Sequence, residues 1–162
     1  MNALPTARME QALIDRLRLS KAMPKNVTVE RTAPLLTMEE FSRLTHQAPY
    51  IGVAFFGFTV DKMATVPISG LWQWKLLIVA KASGDIRRRL KGDAFQAGLD
   101  HLIDLTTLHL HAQTIDGIGL INVTSSEVIY SEGIGNKALV LAHLNLEIAT
   151  SLSPEMMEKT ID

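Results

Sequence analysis

A chain of 162 residues with 47% apolar and 20% charged side chains fits one folded domain and has a globular rather than a disordered balance. Its formal net charge of −1 supplies no global field toward nucleic acid or an anionic membrane, so an electrostatic partner has to be met by a local patch. With no cysteine in the chain, disulfides, thiolate catalysis and cysteine-ligated zinc or iron–sulfur sites are excluded.

The N-terminal stretch MNALPTARMEQALIDRLRLS carries Glu10 and Asp15 and has no continuous apolar run, so it does not read as a signal peptide. Thr6 is placed to cap a helix over 6–19, with Met9, Leu13 and Leu17 on one face. Pro24 breaks the chain and NVTVER, 26–31, reads as a short strand. Thr37 followed by Glu40 forms the pattern of a capping box for the short helix MEEFSRLTH. Pro49 opens a strand over 50–59. In regular alternation Ile51, Val53 and Phe55 point one way and Tyr50, Ala54, Phe56 and Phe58 the other, so both faces are apolar and the strand is expected to be central.

Residues 61–70, DKMATVPISG, read as an excursion before a strand over 71–82, where Trp72, Trp74, Leu76, Ile78 and Ala80 share one face. A polar, arginine-rich loop over 83–93 precedes a helix over 93–108 with an apolar stripe of Phe95, Leu99, Leu102, Ile103 and Leu105. Residues 117–130 form one strand, or two broken near Ser125–Ser126. SEGIGN is a turn, and 137–150 shows the cleanest alternation, with Val140, Ala142, Leu144, Leu146 and Ile148 toward the core and His143, Asn145 and Glu147 away. The apolar runs 51–58 and 76–80 are strand-length, well short of the roughly 20 residues of a membrane span, which predicts a soluble, cytoplasmic product. Together these elements predict an α+β fold: an antiparallel or mixed β-sheet with helices packed mainly on one face, as a single domain over 1–150 followed by a tail over 151–162.

Chemistry-bearing patterns are sparse. Gly117-Ile118-Gly119 follows a helix and opens a strand, the reverse of a nucleotide-binding turn, and Gly133-Ile134-Gly135 reads as a hairpin; no Walker lysine and no nucleophile elbow occur, and no cofactor is implied. His109 and His111 would sit on one side of an extended segment, with Asp116 as a further ligand, but zinc needs three or four; a structural or solvent-facing pair is the plainer reading. His101 with Asp104, and Asp100 with Asp104, stand at helical spacings that suit either a hydrogen-bonded acid–base pair or a solvated helix face. The densest polar feature is Arg87-Arg88-Arg89-Leu90-Lys91. It reads either as a contact for an anion, such as DNA phosphate or an acidic neighbouring subunit, or as a solvated loop. No aromatics interleave it to stack on bases.

The order and pattern of elements over 4–149 resemble the tail terminator (tail-completion) proteins of Mu-like and related tailed phages and prophages. The features are the amphipathic helix ALIDRLR, the strand PYIGVAFFGF, the aromatic-led strand WQWKLLIVAKA, the arginine-containing loop, the glycine-bearing helix AFQAGLDHLIDLTTLHL and the closing strands VIYSEG and ALVLAHLNLEI. The resemblance implies a structural, non-enzymatic α+β subunit that forms a homo-oligomeric ring, typically a hexamer, at the end of the tail tube. Such a ring stops tube growth and provides the joint to the capsid. Its implied partners are copies of itself, the tube protein and head–tail connector proteins; its place is the virion, with the host cytoplasm during assembly. The sheet would pair edge to edge or pack its outer face on a neighbour, and Arg87, Arg88, Arg89 and Lys91 would touch a neighbouring subunit or, without sequence preference, DNA in the channel. Two other readings remain open. One is a head–tail connector or stopper; the other is a small-molecule-binding domain or hydrolase using His101, His109, His111 and nearby aspartates.

Overall fold

The computed structural model describes residues 4–34, 37–61, 67–81, 86–93, 97–131 and 139–155. Among these residues ten elements follow one another: α1 (Pro5–Leu19), β1 (Thr28–Arg31), α2 (Met38–His46), β2 (Tyr50–Val60), β3 (Ile68–Val79), α3 (Ile86–Lys91), α4 (Leu99–Leu110), β4 (Thr114–Ile115), β5 (Gly119–Ser131) and β6 (Leu139–Leu152). The strands form one mixed sheet in the order β1-β2-β3-β6-β5-β4, parallel only at β1–β2. This is the α+β architecture expected from the sequence.

The last strand of the chain lies at the centre. β6 carries a ladder on each side, to β3 from Ile68↔Leu152 through Val79↔Leu141 and to β5 from Ile121↔Ile148 through Ser131↔Leu139. That explains its clean alternation: a strand hydrogen-bonded on both edges and packed on by helices must bury every second side chain. Val140, Ala142, Leu144, Leu146 and Ile148 are accordingly all buried. Trp72, Trp74, Leu76 and Ile78 of β3 lie on the same face, and α1 and α4 pack against it through Met9, Leu13, Leu17, Leu99 and Leu102, each 0% exposed. Fully burying an aliphatic side chain contributes about 1.5–3 kcal/mol, so this layer is the main source of stability.

The parallel β1–β2 pair needs a crossover, and α2 supplies it. Leu44 of α2 packs with Tyr50, Leu77, Val79 and Leu141 as a smaller second cluster on the opposite face of the sheet. The capping box predicted for α2 is present: the Glu40 amide donates to Thr37 Oγ1 at 3.2 Å and the Thr37 amide to Glu40 Oε2 at 2.9 Å.

Several expectations are corrected by the structure. Thr6 is not the cap of α1; Pro5 takes the first helical position after Leu4, and Thr6 Oγ1 instead accepts the Trp72 indole N–H at 3.0 Å. β2 is central only over Tyr50–Val53, where β1 pairs with it; beyond that it is an edge. A β-bulge between Phe55 and Gly57 makes Phe56 an extra residue and reverses the alternation after it. Phe58 therefore stands opposite Trp72 and stacks on it, centroids 4.8 Å apart, on the helix-bearing face rather than beside Phe56. The arginine run is not loop but the helix α3, and the long helix starts at Leu99, not residue 93, because Gly98 takes the extended cap conformation. Phe95 of the predicted stripe lies outside the described residues, as do 62–66 of the predicted excursion, residues 132–138 of the SEGIGN turn region and 156–162 of the tail. Residues 68–70 of the excursion belong to β3, and β5 is one strand with an irregularity at Val123–Ser125.

Candidate functional site

Three kinds of surface carry the residues that sequence reasoning singled out. The first is α3. Leu90 anchors it to the core beside Ala97, and Arg87 and Lys91, one helical turn apart, are exposed. Arg88 and Arg89 continue the same helix; their side chains lie outside the described part of the structure. The approach of α3 to the start of α4 is close enough that a Cβ on Gly98 would meet Leu90 O at 2.3 Å and the Gly92 amide nitrogen at 2.2 Å, so the basic helix lies tightly against the start of α4.

The second is the histidine and aspartate set, which the structure disperses. His101, Asp100 and Asp104 are exposed on α4. His109 and His111 are not on one extended segment: His109 is in the last turn of α4 and His111 caps it. Each has its own partner. His111 Nδ1 accepts the Val123 amide at 3.1 Å, and His109 Nε2 lies 2.6 Å from Ser20 Oγ. Among the described residues no group of three or more His, Asp or Glu is placed to hold a metal ion.

The Ser20–His109 contact was not legible in the sequence, where no spacing relates residues so far apart. Ser20 Oγ also stands 3.2 Å from the Ala22 amide and 3.3 Å from the Met23 amide, both donors. Two N–H groups are thus directed at the Ser20 hydroxyl oxygen, which also meets His109 Nε2. The pair ties the C-terminal ends of α1 and α4 together, at the wall of an open cavity of roughly 480 Å³ also lined by Asp15, Arg16, Leu19 and Leu108. Leu19 and Leu108 are 80% and 73% exposed, so this end of the helical layer shows apolar surface to solvent. Other polar groups of α1 are likewise committed to neighbouring backbone: Arg16 donates to the Thr114 carbonyl and Arg18 to the Val29 carbonyl, the latter at 2.9 Å.

The third is the sheet itself. On the face away from α1 and α4, beyond the part under α2, Lys75 Nζ sits 4.6 Å over the Phe56 ring beside Gln73, Asn145 and Glu147. His143 is on this face too; partial burial, with Lys75 nearby, pushes its pKa below the usual value, against a smaller opposite pull from Glu127. Among the described residues both sheet edges lack a partner strand over part of their length. β1 covers β2 only as far as Val53, leaving Ala54–Val60 without a described partner strand. β4 covers Gly119 and Leu120, Ile121 is bonded to Ala112 and Gln113, and His111 takes the Val123 amide; from Thr124 to Ser131 the outer edge of β5 meets no described strand. Phe56, Phe58, Val60 and Val128 on these segments are 43%, 49%, 43% and 49% exposed.

Among the described residues no helix is long and apolar enough to cross a membrane. No family model matches the chain, and no curated protein matches it. Among solved structures, a chain from the virion of a native gene transfer agent (GTA) particle matches 91% of this chain and 97% of its own length, with a TM-score of 0.54 and 9% identity. At that identity the likeness is one of fold.

Proposed function

We propose that this chain is a structural subunit of a phage-like virion, and within that class a tail terminator that closes into a ring, typically of six copies, at the end of the tail tube. There it would stop tube growth and form the joint to the capsid. The observation that carries the reading is the backbone match to a virion component over nearly the whole of both chains. A match over a single βα unit would say little, because small motifs recur across unrelated functions. The order of elements that resembles tail terminators in sequence supports the finer assignment. So does the use made of polar side chains: Arg16, Arg18, Ser20 and His109 tie elements together, as suits a protein that works by shape and contact rather than by chemistry. On this reading the chain is no enzyme, its partners are its own copies, the tube protein and head–tail connector proteins, and it resides in the virion after assembly in the host cytoplasm.

Arg87, Arg88, Arg89 and Lys91 on α3 are proposed to touch a neighbouring subunit or the DNA passing through the ring. A phosphate contact of this kind is independent of sequence and weakens steeply with salt. Size-exclusion chromatography with light scattering, alone and with tail tubes, tests the main reading. The expected result is one defined oligomer, or a cap on tube ends. A strict monomer at high concentration that leaves tube ends bare refutes it, and a ring that binds connectors while ignoring tube ends marks a connector or stopper instead.

A further inference from the structure

We infer that neighbouring copies join strand to strand, the open segment of β2, residues 54–60, of one copy pairing antiparallel with the open segment of β5, residues 124–131, of the next. The inference deepens the ring reading and rests on it; the occupant of each open edge is a second copy of this chain.

Direction is the first argument. β2, β3, β6 and β5 are antiparallel to their neighbours in turn, so β2 and β5 run opposite ways. A copy set beside the first in the same orientation brings its β2 against β5 antiparallel, the better-bonded arrangement, and continues the alternation unbroken. The contact joins two different edges, so it is head-to-tail, and such contacts propagate from copy to copy until a rotation closes them.

Side-chain placement is the second. Phe58 stands opposite Trp72 and Val60 opposite Gly70, while Val128 stands opposite Ala142; all three lie on the helix-bearing face. In-phase registers set Phe58 or Val60 beside Val128, so apolar groups now 43–49% exposed would cover one another. A register slipped by one residue would put them on opposite faces.

The third is geometric. The two open segments are at opposite ends of the sheet: Phe58 is level with Ile148 of β6, whereas Val128 is level with Ala142. Pairing them offsets one copy from the next by about 20 Å along the strands, at about 3.4 Å per residue. Four strand spacings of about 4.8 Å separate equivalent strands of successive copies, about 19 Å in all. Offset and width together set the strands at about 45° to the ring axis, a tilt at which sheets close into barrels. The stagger that would forbid a ring of upright strands is thus compatible with a ring of tilted ones.

The chain has no cysteine, so introduced thiols report unambiguously. Phe58→Cys and Val128→Cys are combined in one chain, and made singly, and each protein is oxidised mildly in the full-length chain at concentrations where light scattering shows the wild-type oligomer. The double variant is expected to give a ladder of cross-linked species ending at the size of that oligomer. The two single variants mixed are expected to stop at a dimer containing one of each, and neither alone should cross-link. Val60→Cys with Val128→Cys tests the adjacent in-phase register. A wild-type oligomer with no ladder in either pair overturns the edge assignment and leaves the ring standing. A single variant that cross-links to itself also overturns it, since that requires like edges to meet. A wild type that stays monomeric alone and on tube ends removes the ring reading and this inference together.

Discussion

Replacing Thr6 by Val deletes one oxygen at nearly constant volume and tests how the N-terminal helix is locked to the sheet. The Trp72 indole N–H is directed at Thr6 Oγ1, 3.0 Å away, and Trp72 is 2% exposed. Leaving a buried donor without an acceptor costs about 1–3 kcal/mol. Thr6 is half-buried, so water can replace part of the bond, and the expected loss is in the lower half of that range, about 1–2 kcal/mol. With a urea slope of about 2 kcal/mol/M, the unfolding midpoint should fall by about 0.5–1 M. Two further variants isolate the cause. In a Trp72→Phe background the N–H is already gone, so adding Thr6→Val should cost little more, a coupling of about 1 kcal/mol in the double-mutant cycle. Trp74, at 1% exposed, has a buried indole N–H with no partner among the described residues, so Trp74→Phe is expected to lose ring contact with Phe55 but no hydrogen bond. Trp74→Phe should therefore cost less than Trp72→Phe. All variants are unfolded at one protein concentration, so that any contribution from self-association is held constant. An unchanged midpoint for Thr6→Val, or a larger cost at Trp74 than at Trp72, would refute the reasoning.

At the bulge, Gly57 has φ +117° with none of the described residues within 4 Å of an added Cβ, so Gly57→Ala should cost only conformational strain, about 1–2 kcal/mol, seen as a modest drop in Tm. Gly70→Ala places its Cβ 2.2 Å from the Thr59 carbonyl and should lower Tm much further, because the β2–β3 ladder itself must move. Hydrogen bonds from the Thr37 amide and hydroxyl hold the Glu40 carboxyl below its ordinary value of 4.5. A depressed carboxyl stabilises the fold above its unfolded value and loses that effect as pH falls through the folded one, so hydrogen-exchange protection of the α2 amides should decline below about pH 4.5 in wild type and not in Glu40→Gln. His143 has the opposite chemistry and the same sign: its lowered pKa, set by burial and then by Lys75, means the unfolded chain binds its proton first. Stability should be full above its ordinary pKa of 6.5 and fall as pH drops below it, flattening once the folded histidine protonates; an NMR titration of the His143 ring and the pH dependence of His143→Gln unfolding check both halves.

Periodicity made much of this fold readable in advance because burial imposes it locally. Trp72 to Ile78 and Val140 to Ile148 alternate since each strand meets helices on one face, and Met9, Leu13 and Leu17 recur at helical spacing for the same cause. The capping box at Thr37 and Glu40 was readable because both partners lie within one turn. The misreadings arose where a distant partner intervenes. A bulge defined by pairing with β3 turned Phe58 onto the face opposite the one its parity implied. Trp72, sixty-six residues away in sequence, drew Thr6 from capping to side-chain bonding. The histidine pair was separated by the end of α4. The basic run was found as composition, but its presentation on a short helix anchored by Leu90 was not.

Local amino-acid pattern, then, determined the helices α1 and α2, the long strands and the faces that β3 and β6 bury, and that cysteine-based chemistry was absent, because these depend on neighbours within a few residues. Only the tertiary structure decided that β6 inserts between β3 and β5, that Ser20 meets His109, and that, among the described residues, two stretches of edge have no partner strand at opposite ends of one sheet. Those depend on which strands pair across the chain, and a hydrogen-bond ladder between distant segments leaves almost no trace in the spacing of either one.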